Sequence, residues 1–386
     1  MAFSSHHPLP PNPRVLVIVM RRLGDVLLAT PLVRSLRLGL PGARVDVLAF
    51  RGTEGMLAGN PDVDRVITLA QRPSVGEMVR LIATLWRRYD LAVSTQTGDR
   101  PTFLAYVAGR RRAGLTVARG GGAWWKRRLL DHPVGSAPGD HRVVELLRLA
   151  GALGVAPRPE LVAPTSKSAV ARPEGRYAVL HANPMYRFRR WTDDGWRALA
   201  QALAARGLAV LATGGPDPAE RAYLDRLWGP LDAVVERLDG KLDWPQLASL
   251  IGGAAVFVGP DTSMTHLAAA SGCPTVAIYG PAGPHLIGPW PVGGLKLPWA
   301  RTGTVQHRSN VWVVQHPLPC QPCENLGCER HFESYSRCLD ELSATEVLVA
   351  VDAALRSAGQ NLQPDDALQA CAAAVPGAGV ILPAKA

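Results

Sequence analysis

Short apolar runs alternate with longer amphipathic segments through the first half of the chain. Runs of four to seven apolar residues are typical of buried strands, and apolar positions at helical spacing indicate helices. The pattern predicts strands at 14–20, 44–50, 65–69, 90–95 and 113–117, and helices at 26–38, 74–88, 101–108 and 141–153. This alternation is typical of a parallel sheet covered by helices on both faces.

A Pro-rich, irregular stretch at 155–175 interrupts the alternation and predicts a linker. The pattern then restarts. Strands are predicted at 177–181, 208–212, 254–258 and 274–279, and helices at 193–206, 218–228, 244–252, 264–271 and 344–356. The remainder is rich in Ala, Gly and Pro without an amphipathic period, which predicts a flexible tail. The sequence therefore predicts two similar α/β halves.

The segment 259–281, GPDTSMTHLAAASGCPTVAIYGP, concentrates polar groups at the start of a helix of small residues. Asp261, Thr262 and Ser263 are predicted to cap this helix. Unpaired backbone N–H groups at a helix start attract anions, so the amides of Thr262, Ser263 and Met264 can hold a pyrophosphate. An ordinary αβ unit with a good cap explains the segment equally well.

A carboxylate follows the first predicted strand. After RVLVIVM at 14–20, the residues Arg21, Arg22, Leu23, Gly24 and Asp25 lead into the first helical pattern. Asp25 therefore lies just beyond the carboxyl end of a strand, where open α/β sheets bind ligands. Taken alone, Asp25 has a helix cap as its default explanation. Neither half carries a G-x-G-x-x-G or G-x-x-x-x-G-K-(S/T) loop, which argues against an NAD enzyme or a P-loop NTPase.

Three motifs together resemble those of the ADP-heptose:lipopolysaccharide heptosyltransferases, family 9 of the glycosyltransferases. The N-terminal signature matches RRLGDVLLATP at 21–31. A basic residue two positions before a tryptophan is matched by Arg189 and Trp191. The C-terminal signature G-x-D-T-x-x-x-H-x-A-A is matched by Gly259, Asp261, Thr262, His266, Ala268 and Ala269. The resemblance spans about residues 14–355.

The resemblance implies a GT-B fold, in which two Rossmann-like domains with parallel sheets face each other across a cleft. We expect a last helix that packs back against the first domain. The expected segments are an extension at 1–13, an acceptor-binding domain at 14–160, a linker at 161–175, a nucleotide-sugar-binding domain at 176–342, a C-terminal helix at 343–357 and a tail at 358–386.

The resemblance also assigns roles to individual residues. Asp25 corresponds to the catalytic base of an inverting transfer without a covalent intermediate, in a motif that includes Arg22 and Gly24. Donor binding is expected of Arg189, Leu242, Asp261, Thr262, Ser263, Met264 and His266. A structural hydrogen bond would also explain His266. The Gly214-Gly215 turn is either a close approach to the nucleotide or a plain αβ turn. No Asp-x-Asp pair suits a catalytic metal, because Asp193-Asp194 is explained as a helix cap.

Charge is divided unevenly between the halves. Residues 1–172 hold 25 Lys and Arg against 12 Asp and Glu, whereas residues 173–386 hold 17 against 20. The basic clusters at 110–112 and 126–128 lack the context of a nucleic-acid module. We therefore expect an anionic glycolipid at the inner membrane face as partner, and no nucleic acid. Each cluster can also be a solvated surface. Acceptor selectivity is expected in loops such as 120–132.

Four of the six cysteines follow one another closely: Cys320, Cys323, Cys328 and Cys338. Such spacing in a chain without signs of secretion usually indicates zinc or iron rather than disulfides. Similar cysteines in the family occur with and without metal, so the resemblance leaves a structural zinc or iron open. No cofactor is expected for catalysis.

The sequence thus predicts an inverting heptosyltransferase that moves a heptose from ADP-heptose to the lipopolysaccharide inner core. Alternatives are transfer of another sugar, another acceptor such as protein, or a non-catalytic anion-binding protein on the same scaffold. At 386 residues and 47% hydrophobic, the chain is long enough for two domains. No apolar run reaches the roughly 18 residues of a membrane span, so we expect a cytoplasmic enzyme that is peripheral at the inner membrane.

Overall fold

The computed structural model describes residues 9–117, 124–137, 139–166, 168 and 170–360, with side chains to residue 357. The chain divides into two compact units, Met1–Thr165 and Ser166–Ala386. The division falls inside the predicted linker, where the described residues form neither helix nor strand. The tail expected at 358–386 lies almost entirely outside the described residues, as does the first part of the 120–132 loop.

The first unit is built on a parallel sheet of six strands in the order β3-β2-β1-β4-β5-β6. Its central strand β1 is buried on both faces, with Val15, Leu16, Val17 and Ile18 fully inaccessible. Such continuous apolar runs are what a parallel sheet covered on both faces requires. The strands are β1 Arg14–Val19, β2 Arg44–Phe50, β3 Arg65–Leu69, β4 Tyr89–Ser94, β5 Gly109–Val117 and β6 His132–Ser136.

The predicted helix at 26–38 is two helices, because a proline interrupts the hydrogen-bond ladder. Pro31 has no N–H to donate to the carbonyl of Leu27. The hydroxyl of Thr30 donates to that carbonyl instead, at 2.8 Å. The helices of this unit are α1 Leu23–Leu28, α2 Thr30–Gly39, α3 Val75–Leu85, α4 Asp99–Ala108, α5 Trp124–Leu129 and α6 Arg142–Ala152.

The second unit repeats the arrangement in a seven-stranded sheet of order β12-β13-β11-β10-β7-β8-β9. All neighbours are parallel except the antiparallel pair β12 and β13. The strands are β7 Tyr177–Leu180, β8 Ala209–Ala212, β9 Val235–Arg237, β10 Val256–Pro260, β11 Thr275–Ile278, β12 Val305–Arg308 and β13 Val311–Val314. The helices are α7 Asp193–Ala205, α8 Pro218–Trp228, α9 Trp244–Gly252, α10 Ser263–Ala270, α11 Pro284–Ile287, α12 Arg337–Asp340 and α13 Ala344–Gln360.

The last helix, α13, belongs to the second unit. Val347, Ala350, Val351 and Ala354 are fully buried in the core of that unit, beside residues of β10, β11 and β13. The second sheet therefore occupies the apolar stripe of this helix, and the expectation that the helix packs back against the first domain stays a prediction. No helix among the described residues is long and apolar enough to cross a membrane.

Candidate active site

Both sheets reverse their strand order at one point, between β1 and β4 in the first unit and between β7 and β10 in the second. Open α/β sheets bind ligands beside the carboxyl ends of the strands at such switch points. The sequence-predicted site residues fall at both places. Asp25, Arg22 and Gly24 follow β1, whereas Arg189 follows β7 and 261–264 follow β10.

Asp25 lies in the first turn of α1, and only 9% of it is exposed. Two arginines pair with its carboxylate. Arg21 Nε is 3.2 Å from Oδ1, and Arg142 Nε is 3.7 Å from the same oxygen. The N-cap of this helix is Arg22, whose side chain makes no cap, so Asp25 does not have the capping role that the sequence also allowed. Gly24 is part of the same turn.

Arg142 is a site residue that sequence reasoning missed. It begins α6, and its guanidinium donates to the Thr95 carbonyl at 2.7 Å and to Glu145 at 2.6 Å. The side chain is 9% exposed, so these contacts fix its position beside Asp25. No local motif marks it, because it reaches Asp25 from more than a hundred residues away along the chain.

In the second unit, Asp261 and Arg189 form a partly buried ion pair. Arg189 Nη1 lies 3.0 Å from Asp261 Oδ2 and also donates to the Asp261 carbonyl at 3.2 Å. Tyr279 donates its hydroxyl to Asp261 Oδ1 at 3.4 Å. Burial raises the pKa of Asp261, and the charge of Arg189 opposes that rise. The expected capping by Asp261 is wrong, because these partners occupy its carboxylate.

The N-terminus of α10 has no side-chain cap. Thr262 is the N-cap by position, but its hydroxyl accepts no backbone N–H of the first helical turn and contacts only the Thr265 hydroxyl, at 3.5 Å. Ser263 is half-buried and Met264 is buried. The amides at the start of a helix have no intrahelical acceptor. This helix start therefore keeps hydrogen-bond donors available for a ligand.

His266, one turn into α10, is 4% exposed. Burial, together with the nearby charge of Arg189, lowers its pKa to about 4, so the imidazole is neutral at pH 7. In the part of the chain that the structure describes, its Nδ1 and the Nε of Arg189 have no hydrogen-bond partner. Buried polar atoms normally have partners. Two such atoms beside an uncapped helix indicate a polar ligand.

Leu242, Gly214 and Gly215 belong to other loops of the second unit, after β8 and β9. Leu242 lies in the bend before α9. An added Cβ at Gly214 would lie 2.3 Å from Leu224, and one at Gly215 would lie 2.6 Å from Glu220. Glu220 also accepts the N–H of Gly215 at 2.8 Å. Close packing within the chain therefore accounts for both glycines.

His181 is a second residue that sequence reasoning missed. It follows β7, is 8% exposed, and its Nδ1 lies 3.1 Å from Thr213 Oγ1. Burial lowers the pKa of His181 to about 4. A histidine at the carboxyl end of the first strand of a unit is the signal that could have identified it.

Asp193 and Asp194 do not cap α7, as the sequence suggested. Thr192 is the N-cap, and its hydroxyl accepts from the N–H of Gly195 at 3.1 Å. Asp193 accepts a hydrogen bond from Tyr223 at 3.0 Å, and Asp194 pairs with Arg197. The two carboxylates thus have intrachain partners on the outside of the first helical turn.

The four clustered cysteines line one small cavity in the second unit. Burial, together with the other three thiols, raises the pKa of Cys338 to about 12. Cys320 and Cys328 are exposed, whereas Cys338 is buried. Within the described ranges, no group of three or more His, Cys, Asp or Glu side chains is arranged to hold a metal ion. The geometry therefore gives no support to the structural zinc or iron that the spacing suggested.

The fold and its two polar switch points are those of an α/β glycosyltransferase, and comparisons with known proteins identify its family. The sequence model of glycosyltransferase family 9 (heptosyltransferase) matches residues 78–295, and the chain belongs to this family. Lipopolysaccharide heptosyltransferase 3 of Escherichia coli K12 is 26% identical over 370 residues, which cover 89% of this chain and 100% of that protein.

Solved structures agree in fold. ADP-heptose lps heptosyltransferase II of E. coli is 20% identical, with a TM-score of 0.69 over 89% of this chain and 99% of that one. E. coli heptosyltransferase WaaC was solved with ADP and with ADP-2-deoxy-2-fluoro heptose. It is 22% identical over 88% of this chain and 99% of its own, with TM-scores of 0.67 and 0.64. The expected α/β, GT-B fold class is confirmed, as is the class of enzyme.

Proposed function

We propose that the protein transfers a heptose from ADP-heptose to the inner core of lipopolysaccharide, with inversion at the anomeric carbon. Family membership and the lipopolysaccharide heptosyltransferase that matches along its whole length support this activity. The observation that carries the donor assignment is the uncapped start of α10 beside Arg189 and His266. A nucleoside diphosphate supplies the oxygen acceptors that these unpartnered donors lack.

The chemistry follows from what the two switch points offer. Asp25 accepts the proton of an acceptor hydroxyl, the freed oxygen attacks the anomeric carbon, and the bond from that carbon to the diphosphate breaks. The electron pair leaves on the diphosphate of ADP. The amides of Thr262, Ser263 and Met264, together with Arg189, stabilise the charge that develops there. Since one displacement suffices, no covalent intermediate forms.

We infer that the transfer needs no divalent metal, because amides and a guanidinium neutralise the leaving group. Activity should persist in excess EDTA, and the four cysteines Cys320, Cys323, Cys328 and Cys338 should act in the fold alone, whether or not they take up zinc or iron. Metal analysis of the purified protein tests the second point. Loss of activity in EDTA that Mg²⁺ restores, with an unchanged circular dichroism spectrum, would contradict the first.

We also propose that the enzyme works from the cytoplasmic side as a peripheral protein, on an anionic glycolipid acceptor. The excess of basic residues in the first half supports this location, since each well-placed Lys or Arg near an anionic surface contributes about 1 kcal/mol. Vesicle sedimentation with and without anionic lipid checks the attraction.

The decisive experiment is an assay with purified protein, ADP-heptose and lipopolysaccharide from a heptose-deficient strain. We expect the acceptor to gain one heptosyl unit by mass spectrometry, with the new linkage opposite in configuration to the donor by NMR. Hydrolysis or transfer only with another nucleotide sugar, or ADP binding without any turnover, would contradict the proposal.

A further inference from the structure

An open cavity of about 420 Å³ lies at the switch point of the first unit, beside the site of Asp25. One wall is formed by Met20 and Arg21, which follow β1, and the other by 96–101, which follow β4. Arg21 is the same arginine that pairs with Asp25 at 3.2 Å. Arg21 therefore links the cavity to the proposed base, on the same unit.

Helix α4 starts at this cavity without a cap. Its N-cap is Gly98, which has no side chain to accept from the first turn. The backbone of Gly98 is extended, with φ −70° and ψ 159°, so glycine is not required by its conformation. The amides of Asp99 and Arg100 have no intrahelical acceptor, because they belong to the first turn. A ten-residue helix also directs its positive end toward the cavity.

Gln96 is the independent sign of a ligand. It lines the cavity, is 9% exposed, and follows the last residues of β4. Across the residues that the structure describes, its buried Nε2 has no hydrogen-bond partner. A buried amide without a partner is costly, and an acceptor atom inside the cavity would remove that cost. The unsatisfied group is a donor, as are the two helical amides.

The charges around the cavity favour an anion. Arg21 and Arg100 both line it. The acidic member of the wall, Asp99, is already paired with Lys126 at 2.6 Å, and Lys126 also donates to the Thr97 carbonyl. The remaining potential is therefore positive.

We propose that this cavity binds an oxyanion of the sugar acceptor, a carboxylate or a phosphate, and thereby holds the acceptor beside Asp25. Gln96, the Asp99 and Arg100 amides, and the Arg100 guanidinium are the donors. The assignment of the oxyanion to the sugar acceptor rests on the proposed transfer, whereas the anion site itself rests on the cavity alone.

The sharpest variant is Gly98→Asp. A Cβ at Gly98 would meet only Pro101, at 3.5 Å, so the change is accommodated. The new carboxylate would cap α4 and occupy the amides that the oxyanion needs, while the cap keeps the thermal stability at or above that of the wild type. Gln96→Leu removes the buried donor at similar volume. Arg88→Ala is the matched control, an exposed arginine at the amino end of the same strand β4.

We expect Gly98→Asp and Gln96→Leu each to raise the acceptor KM about tenfold or more, with kcat at saturating acceptor and the ADP-heptose KM unchanged. Arg88→Ala should change none of these. Acceptor stripped of phosphate and acceptor with its carboxylates reduced identify the source. The modified acceptor that lacks the recognised group should bind the wild type weakly, and its affinity should not fall further in Gly98→Asp. Unchanged acceptor KM in both variants, or undiminished binding of both modified acceptors, overturns the proposal.

A failure of the proposed transfer remains distinguishable from a failure of the site. If no acceptor is glycosylated, thermal unfolding is measured in inorganic phosphate and in acetate. Stabilisation of the wild type and of Arg88→Ala, but less in Gly98→Asp, supports an oxyanion site in a protein with another substrate. Equal stabilisation of all three by both anions, or of none, overturns the site.

Discussion

The two switch points have the same topology, but their charged side chains differ in exposure and in pairing. In the first unit, Asp25 is paired with two arginines, one of which, Arg21, is half exposed. In the second unit, Asp261 and His266 are at most 4% exposed, and Arg189 pairs with the buried carboxylate. The carboxylate of the first site thus lies beside a half-exposed arginine and near a cavity. The carboxylate and the imidazole of the second site are buried.

Burial accounts for the difference in chemistry. Desolvation lowers the pKa of His266 to about 4, so its imidazole is neutral at pH 7, and desolvation raises the pKa of Asp261. The donors of the second site are this imidazole, the amides that begin α10 and the Arg189 guanidinium. Such a site suits a bound anion. The first site presents a carboxylate that is 9% exposed and paired with two arginines, one of them half exposed, and we assign proton transfer to it. Equivalent positions in two related sheets can therefore divide base and leaving-group roles between them.

The contrast between the two switch points requires that Asp25 be needed for turnover. We expect Asp25→Asn to lower kcat by about 10²–10⁴, because amide nitrogen and oxygen cannot accept the acceptor proton. The affinity for ADP should not change, since the ADP donors are assigned to the other unit. Steady-state kinetics and calorimetry with ADP measure the two quantities. Turnover close to that of the wild type would remove Asp25 from the role of base.

Acid should destabilise the second unit through its buried histidines. His181 and His266 have a folded pKa of about 4, below the unfolded value of 6.5, so the unfolded chain binds more protons between these values. Their contribution is complete above about pH 6.5 and is lost as the pH falls towards 4, at about 3 kcal/mol per histidine. Urea unfolding between pH 7 and 4.5 measures the loss.

His266→Gln should flatten this pH profile, whereas His331→Gln, at a half-exposed histidine, should leave it as in the wild type. An identical acid slope in His266→Gln would show that His266 is not the titrating group.

Arg189→Ala tests the second switch point, whereas Asp25→Asn tests the first. The loss of a charge-assisted contact should weaken ADP binding by on the order of 2 kcal/mol, about thirtyfold in Kd. Arg187→Ala, an exposed arginine of the same short turn, is the control. Calorimetry with ADP decides. Equal ADP affinity in both variants would separate Arg189 from the diphosphate.

The smallest expected effect concerns Arg142. Lysine keeps the charge but cannot contact Thr95, Glu145 and Asp25 together, so Arg142→Lys should lower kcat about tenfold without changing ADP affinity. Arg148→Lys, on the same helix and paired with Asp140, serves as control. A weaker ADP affinity in Arg142→Lys, with normal kcat, would contradict the division of roles between the units.

The sequence was most informative where the pattern was local. Strands β2 and β3 and helices α8 and α9 have the predicted bounds. The elements that were not predicted are β6, β9, β12, β13, α5, α11 and α12, each of three to six residues. Strand β6, HPVGS, also contains a proline and a glycine, which are tolerated at its edge position.

For the site, the motifs placed Asp25, Arg189 and the start of α10 at strand ends, and the structure pairs Arg189 with Asp261. Arg142 could not be derived in this way, because its role depends on tertiary contacts that no residue type or spacing near it indicates. The core position of α13 depends on tertiary contacts in the same way. His181 has a signal in its place at the carboxyl end of β7, and the cap of α7 at Thr192 is a local contact that the sequence analysis assigned to Asp193-Asp194 instead.

The position of α13 also bears on how the protein folds during synthesis. Val347, Val351 and Ala354 complete the core of the second unit, so that core stays open until nearly the last helix has been made. The first unit is complete at Thr165. At 5–20 residues per second, the ribosome needs about 10–40 s to pass from there to α13. During that interval the first domain is finished while the apolar core of the second is incomplete. Chaperones are most needed in this state.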